Sequence, residues 1–185
     1  MKEISLNILD IAENSVKAGA SLTEISIVET GDTLTLTISD DGCGMDEATV
    51  KSVTNPFYTT RKTRAVGLGI PLIKLACEQT GGNLTISSKQ RSDTSSDHGT
   101  TLCAVFFKNH IDFTPLGDVI SSITTLIQGH PDRDFLFVHK TDFGEVRLDT
   151  REIRTVLEDV PLDTYEVILW TRENLEEQYM DIKTN

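Results

Sequence analysis

The sequence predicts an α/β architecture, an α+β two-layer sandwich in which helices cover one face of a mixed sheet. Two pairs of segments alternate between apolar and polar residues, the pattern of half-buried strands. Segments with apolar residues at helical spacing precede and separate them. The resulting order, helix, hairpin, helix, loop, helix, hairpin, suits a helical layer on one side of a sheet.

Each element has its own justification. Residues 2–18 place Ile4, Ile8, Ile11, Ser15 and Ala18 on one stripe, with Leu6, Leu9 and Val16 beside it, and Gly19 ends the helix. Residues 24–28 and 33–38 alternate strictly around Gly31-Asp32, a hairpin signal. Residues 46–53 suit a short helix, 55–64 a polar loop and 66–79 a further helix. Gly81-Gly82 then turns into strands over 84–88 and 101–107, joined by a Ser-, Asp- and Thr-rich loop. Beyond it, 116–127 reads as a helix, 135–139 and 145–148 as a hairpin, and 151–157 and 165–179 as helices.

The chain carries 17 Lys and Arg against 29 Asp and Glu over 185 residues, a net charge of −12. Residues 1–109 hold 10 basic and 13 acidic residues, whereas 110–185 hold 7 and 16. We therefore expect two units, 1–109 and a small acidic α/β unit over 110–185 that recognises a partner; the alternative is a solvated acidic face whose apolar side packs on the first unit and stabilises it. Phosphate contacts need Lys and Arg, so no nucleic acid and no anionic membrane is expected as a partner. No apolar run approaches the roughly 20 residues of a membrane span. The N-terminal residues do not read as a signal peptide, because Asp10 and Glu13 interrupt them. Three widely spaced cysteines form no disulfide framework, which points to the cytoplasm. Of these, Cys77 and Cys103 read as core, and Cys43 as an ordinary small residue.

Chemistry concentrates in four places. Asp10, Asn14 and Lys17 stand at i, i+4 and i+7 and share one helix face. An Asn oxygen can ligate Mg²⁺, Lys can meet phosphate and a carboxylate can orient water; the plain alternative is a solvated face. Asp40-Asp41-Gly42-Cys43-Gly44 follows a strand, where a carboxylate can accept from an exocyclic amine and glycines allow close approach; the alternative is an acidic turn. Gly67-Leu68-Gly69 opens a helix, whose N-terminal N–H groups favour phosphate. Just before it, Thr59, Thr60, Arg61, Lys62 and Arg64 make the densest basic patch of the chain, suited to a polyanion. Last, Gly99-Thr100-Thr101 leads into a strand, with Thr100 available for a polar contact.

Taken together, these segments resemble the ATP-binding domain of histidine kinases, gyrase, mismatch-repair ATPases and heat-shock chaperones, the GHKL or HATPase_c superfamily. The first box is Asp10 to Ala20 and the second Asp40 to Met45; Asn55-Pro56-Phe57-Tyr58-Thr59-Thr60-Arg61 is like a histidine-kinase stretch. Val66 to Ile70, Gly81-Gly82 and Gly99 to Thr101 complete the set, which spans roughly residues 2–108. The resemblance implies a Bergerat-type fold and ATP with Mg²⁺ as cofactors. It implies Asn14 as the Mg²⁺ ligand, Lys17 as a phosphate contact, Asp40 with Thr100 on adenine, and Gly42 and Gly44 shaping the base pocket. Residues 54–66 would form a lid, and Gly67 and Gly69 would hold phosphate.

Two departures stand out. Ala65-Val66 fills the region where the family's first glycine of GxGxG would fall. Asp10 stands where gyrase and mismatch-repair ATPases carry a water-activating Glu, and it is one methylene shorter. A histidine kinase also carries a dimerisation unit with a phosphoacceptor His before this domain. Here the first box begins near Met1, and His98, His110, His130 and His139 lack an acceptor context and read as exposed loop or terminal residues. Three readings stay open: a kinase or regulatory component acting on a separate, basic protein partner, an ATP-hydrolysing switch with Asp10 as base, and a non-catalytic nucleotide sensor.

Overall fold

A computed structural model describes residues 3–54, 69–92 and 97–184. The predicted first helix is α1 (Ile4–Lys17), which buries Ile4, Ile8, Ile11 and Ala12 on one face. Its first N–H groups have no partner within the helix. Those of Ile4 and Ser5 donate instead to the carbonyls of Pro115 and Leu116. The start of α1 thus depends on a segment more than a hundred residues away.

The first hairpin is β1 (Leu22–Thr30) and β2 (Thr33–Asp40), paired antiparallel with Ile25 opposite Ile38 and Thr23 opposite Asp40. After the short α2 (Glu47–Ser52), α3 (Gly69–Gln79) leads into β3 (Asn83–Lys89) and β4 (Gly99–Phe107). β4 lies antiparallel beside β2 and puts Thr100 opposite Asp40. The sequence-predicted polar loop over 55–64 lies outside the described residues.

After β4 come α4 (Val119–Gly129), β5 (Asp134–Thr141), β6 (Gly144–Asp149), α5 (Thr150–Leu157) and α6 (Tyr165–Thr184). Helix α4 starts three residues later than its apolar pattern suggests. Asp118 caps it, its carboxylate accepting from the Ser121 N–H. Strand β5 lies parallel to β1, with Phe137 opposite Ile25, giving one sheet of order β3-β4-β2-β1-β5-β6. The segment after 109 therefore extends the sheet of the first. One apolar core runs through both, from Ile73 and Phe106 to Phe135, Phe137 and Leu175. Burying each such side chain contributes about 1.5–3 kcal/mol.

Helices α3, α1, α4 and α6 pack in that order on one face. On the other face Ser26, Thr37 and Cys103 face outward in adjacent strands. Cys103 is thus half-exposed on the open face, a correction to its reading as core, while Cys77 is buried as expected. Among the described residues no helix is long and apolar enough to cross a membrane.

The histidines also need correcting, because only His110 is an exposed loop residue. His139 is 3% exposed inside β5. Its Nε2 meets Glu29 Oε1 at 3.1 Å and its Nδ1 meets the Tyr179 hydroxyl at 2.8 Å. An ionised carboxylate only accepts, so Nε2 carries a proton toward Glu29. Lys108 Nζ donates to Glu29 Oε2 at 3.0 Å. The His139 hydrogen bond outweighs burial and, with Lys108, holds the Glu29 carboxyl down to about 2. Burial pushes the Tyr179 phenol up, and the Glu29 charge adds to it. This chain of contacts ties the end of the first hairpin region to β5 and α6.

A carboxyl depressed on folding adds stability above its unfolded pKa, and that stability fades as pH falls toward the folded value. Glu29→Gln should therefore be less stable than the natural protein at pH 7. The gap should close between the ordinary Glu range, near ~4.3, and about 2. Urea unfolding of both proteins across that range checks this.

Candidate functional site

Strand β2 delivers Asp40 to the C-terminal end of α1. Its Oδ2 accepts from Ser15 Oγ at 2.8 Å and its Oδ1 from the Gly42 N–H at 2.9 Å. A carboxylate has about four acceptor positions, so two contacts orient it and leave capacity for a ligand donor. Ser15 is 3% exposed on α1. On the predicted stripe it occupies an otherwise apolar line, and a buried hydroxyl there requires a partner. That requirement was the available signal for its role.

The loop after Asp40 is held by close backbone contacts. The Cys43 N–H donates to the Ala18 carbonyl at 2.9 Å, and the Arg91 N–H to the Cys43 carbonyl at 2.8 Å. A Cβ on Gly42 would lie 2.9 Å from Ala18 Cβ and from Asp40 Oδ1. Gly44 has φ +66°, and a Cβ there would run into the Lys89 carbonyl. Thr100 meets Ser88 Oγ at 2.8 Å, and Ser88 Oγ also accepts from the Met45 N–H at 2.8 Å. Ser88 and His98, whose Nδ1 lies 2.7 Å from the Gly42 carbonyl, flank the candidate site, and the motifs did not mark them.

The polar face of α1 meets the start of α3. A Cβ on Gly69 would be 3.4 Å from Asp10 Cβ, 3.7 Å from Asp10 Oδ2 and 3.9 Å from Asn14 Nδ2. Asp10, Asn14 and Gly69 therefore share one corner, next to the positive end of the α3 dipole. Lys17 is half-exposed and donates to Glu13 Oε2 at 3.2 Å. Glu13 Oε1 in turn lies 2.7 Å from His130 Nε2 at the C-terminal end of α4. Burial raises the Glu13 carboxyl, but hydrogen bonds from His130 and Lys17 overcome this and leave it lowered. Thr59, Thr60, Arg61, Lys62, Gly67 and Leu68, and nearly all of the expected lid over 54–66, lie outside the described residues. No group of three or more His, Cys, Asp or Glu side chains among the described residues could hold a metal ion.

With this geometry in view, the chain finds its class. Residues 2–113 match the family described as histidine kinase-, DNA gyrase B-, and HSP90-like ATPase, and the protein belongs to it. Over 85 residues it is 32% identical to a putative sensor protein of Shewanella frigidimarina, covering 44% of this chain and 13% of that one. Over 89 residues it is 29% identical to sporulation kinase C of Bacillus subtilis, covering 48% of this chain and 20% of that one. The chain thus spans a fifth or less of these relatives. In fold it resembles the Aquifex aeolicus MutL ATPase domain complexed with ADP, with TM-score 0.57 at 13% identity. That likeness covers 85% of this chain and 70% of the other, so it reaches past residue 113 into the C-terminal segment.

Gly44→Ala and Gly31→Ala form a matched pair. Both place a side chain at positive φ, which costs roughly 1–2 kcal/mol, but Gly31 has open space and Gly44 faces the Lys89 carbonyl. Denaturant unfolding should show the larger loss for Gly44→Ala. Equal losses would mean that the loop relaxes away from β3.

Proposed function

We propose that the protein binds ATP with Mg²⁺ and acts on a separate protein partner as a kinase or regulatory component. The observation that carries the nucleotide reading is the fixed Asp40 carboxylate. It is oriented by Ser15 and Gly42, lies across from Thr100, and retains acceptor capacity. Such a group suits the exocyclic amine of adenine. The tight loop at Gly42 and Gly44 brings backbone rather than side chains to the base.

The corner of Asp10, Asn14 and Gly69 supports the phosphate end of the reading. Mg²⁺ is commonly held by one or two protein oxygens together with substrate phosphates and water, so it needs no preformed cage. The carboxamide of Asn14 fits as its protein ligand. When bound, Mg²⁺ supplies neutralisation of phosphate charge. Gly69 N–H, at the start of α3, can donate to phosphate, and Lys17 can turn from Glu13 toward it. The basic patch Thr59, Thr60, Arg61 and Lys62, with Gly67 and Leu68, suits the same polyanion on sequence grounds.

Replacing Asp40 with Asn removes the charged acceptor, a loss of about 1.5–3 kcal/mol. Calorimetric titration of Asp40→Asn with Mg·ATP should therefore show affinity reduced roughly tenfold or more, and unchanged affinity would remove the assignment.

The proximity of Asp10 to the start of α3 favours a second reading, in which Asp10 orients water and ATP is hydrolysed. Removing a general base typically lowers turnover by about 10²–10⁴-fold. If Asp10 has that role, phosphate release by Asp10→Asn should fall on that scale with ATP binding intact. A near-silent substitution, with negligible turnover in both forms, supports transfer to a partner instead.

A further inference from the structure

A cleft of about 680 Å³ opens at the other end of the sheet. Glu29 in its floor lies six residues along β1 from Thr23, the residue paired with Asp40. At about 3.3 Å per residue, that is roughly 20 Å away. The cleft is therefore separate from the nucleotide corner.

Its walls are apolar and its charges are of one sign. Val119 of α4, Phe143 of the β5–β6 turn and Met180 of α6 line it. Phe143 and Met180 are 70% and 66% exposed, on two different elements at the same opening. Glu29, Asp118 and Glu176 supply carboxylates, and no Lys or Arg is among the described lining residues. Lys108 balances Glu29, and Arg172, 3.9 Å from Glu176 and hydrogen-bonded to the Ser121 hydroxyl that donates to Asp118, offsets part of the rim charge, which leaves the carboxylates in excess. The sequence from 110 onward adds 16 acidic residues against 7 basic ones.

Exposed aromatic and Met side chains around a cleft mark a contact surface, and Met adapts to varied apolar partners. The acidic rim repels the phosphates of lipid headgroups and nucleic acids and attracts cations. A single small amine would leave Phe143 and Met180 in water, whereas a peptide covers both. An amphipathic helix laid in a groove meets these demands, with apolar anchors inside and cations toward the rim.

We propose that this cleft docks a basic amphipathic segment of the protein's partner, apolar side chains inward and Lys or Arg beside Asp118 and Glu176. The proposal rests on the reading that the protein acts through a protein partner. It places that partner on the α4–α6 side, away from the nucleotide.

A fluorescein-labelled 14-residue helical peptide of Leu and Lys tests it by anisotropy with the full chain. A Leu and Glu peptide of the same apolar face is the comparison. Expected is saturable binding of the Lys peptide alone, weakened tenfold or more by Phe143→Asp and by Glu176→Lys. Glu47→Lys, an equal charge change on exposed α2, should leave it unchanged. Three results would overturn the proposal: no binding of the Lys peptide, equal binding of both peptides, or equal weakening by Glu47→Lys and Glu176→Lys. Cosedimentation with anionic phosphatidylglycerol vesicles, abolished by the same two cleft variants, would also overturn it in favour of a membrane. Glu176→Lys changes an exposed helical residue, so it serves if Phe143→Asp unfolds. Mg·ATP titration of the same samples keeps the two readings apart: lost ATP binding with peptide binding intact counts against the nucleotide reading alone.

Discussion

Two hydrogen bonds hold the Asp40 carboxylate at the end of a strand, and much of the local architecture is arranged around them. A half-buried carboxylate needs donors. It finds one from α1, the Ser15 hydroxyl, and one from its own turn, the Gly42 N–H. Both require α1 to end beside β2. That in turn requires the loop after Asp40 to pass so close to Ala18 that a side chain at residue 42 would collide. The β4 strand completes the arrangement by bringing Thr100 into register with Asp40. Local sequence, backbone clearance and sheet register thus converge on one side chain.

The C-terminal segment supports this corner from behind. Its residues 115 and 116 receive the first N–H groups of α1, and β5 completes the pairing of β1. His130 holds Glu13, the same carboxylate that Lys17 contacts. Any ligand that draws Lys17 away changes the electrostatic surroundings of Glu13 and His130. The polar face of α1 is therefore in direct physical contact with the end of α4. The cleft between α4 and α6 lies further along the same helical layer.

Much of the candidate site's local geometry was legible because its signals are local. The Asp-Gly-x-Gly turn, the helical spacing of Asp10, Asn14 and Lys17, and the alternating hairpins each depend on residues close in sequence. What was not legible depends on distant pairing. Alternation identifies β5 as a strand but carries no mark of its parallel place beside β1. Ser15 sits where an apolar residue is expected, and its partner is 25 residues away. His139 belongs to a strand whose two polar neighbours come from β1 and α6. Cys103 alternates correctly, but alternation alone does not say which face is covered. The charge step near residue 110 reflects surface composition, while the sheet and core continue across it.

The central claim is that a fixed acceptor at Asp40 selects adenine. Adenine presents an amine donor at the position where guanine presents a carbonyl acceptor, which would face the carboxylate without a shared proton. Losing a charge-assisted hydrogen bond costs about 1.5–3 kcal/mol. The most direct measurement is therefore competition between Mg·ATP and Mg·GTP for the natural protein at equilibrium. ATP is predicted to bind at least about tenfold more tightly. Equal affinity for the two nucleotides, or binding of neither, would contradict the assignment.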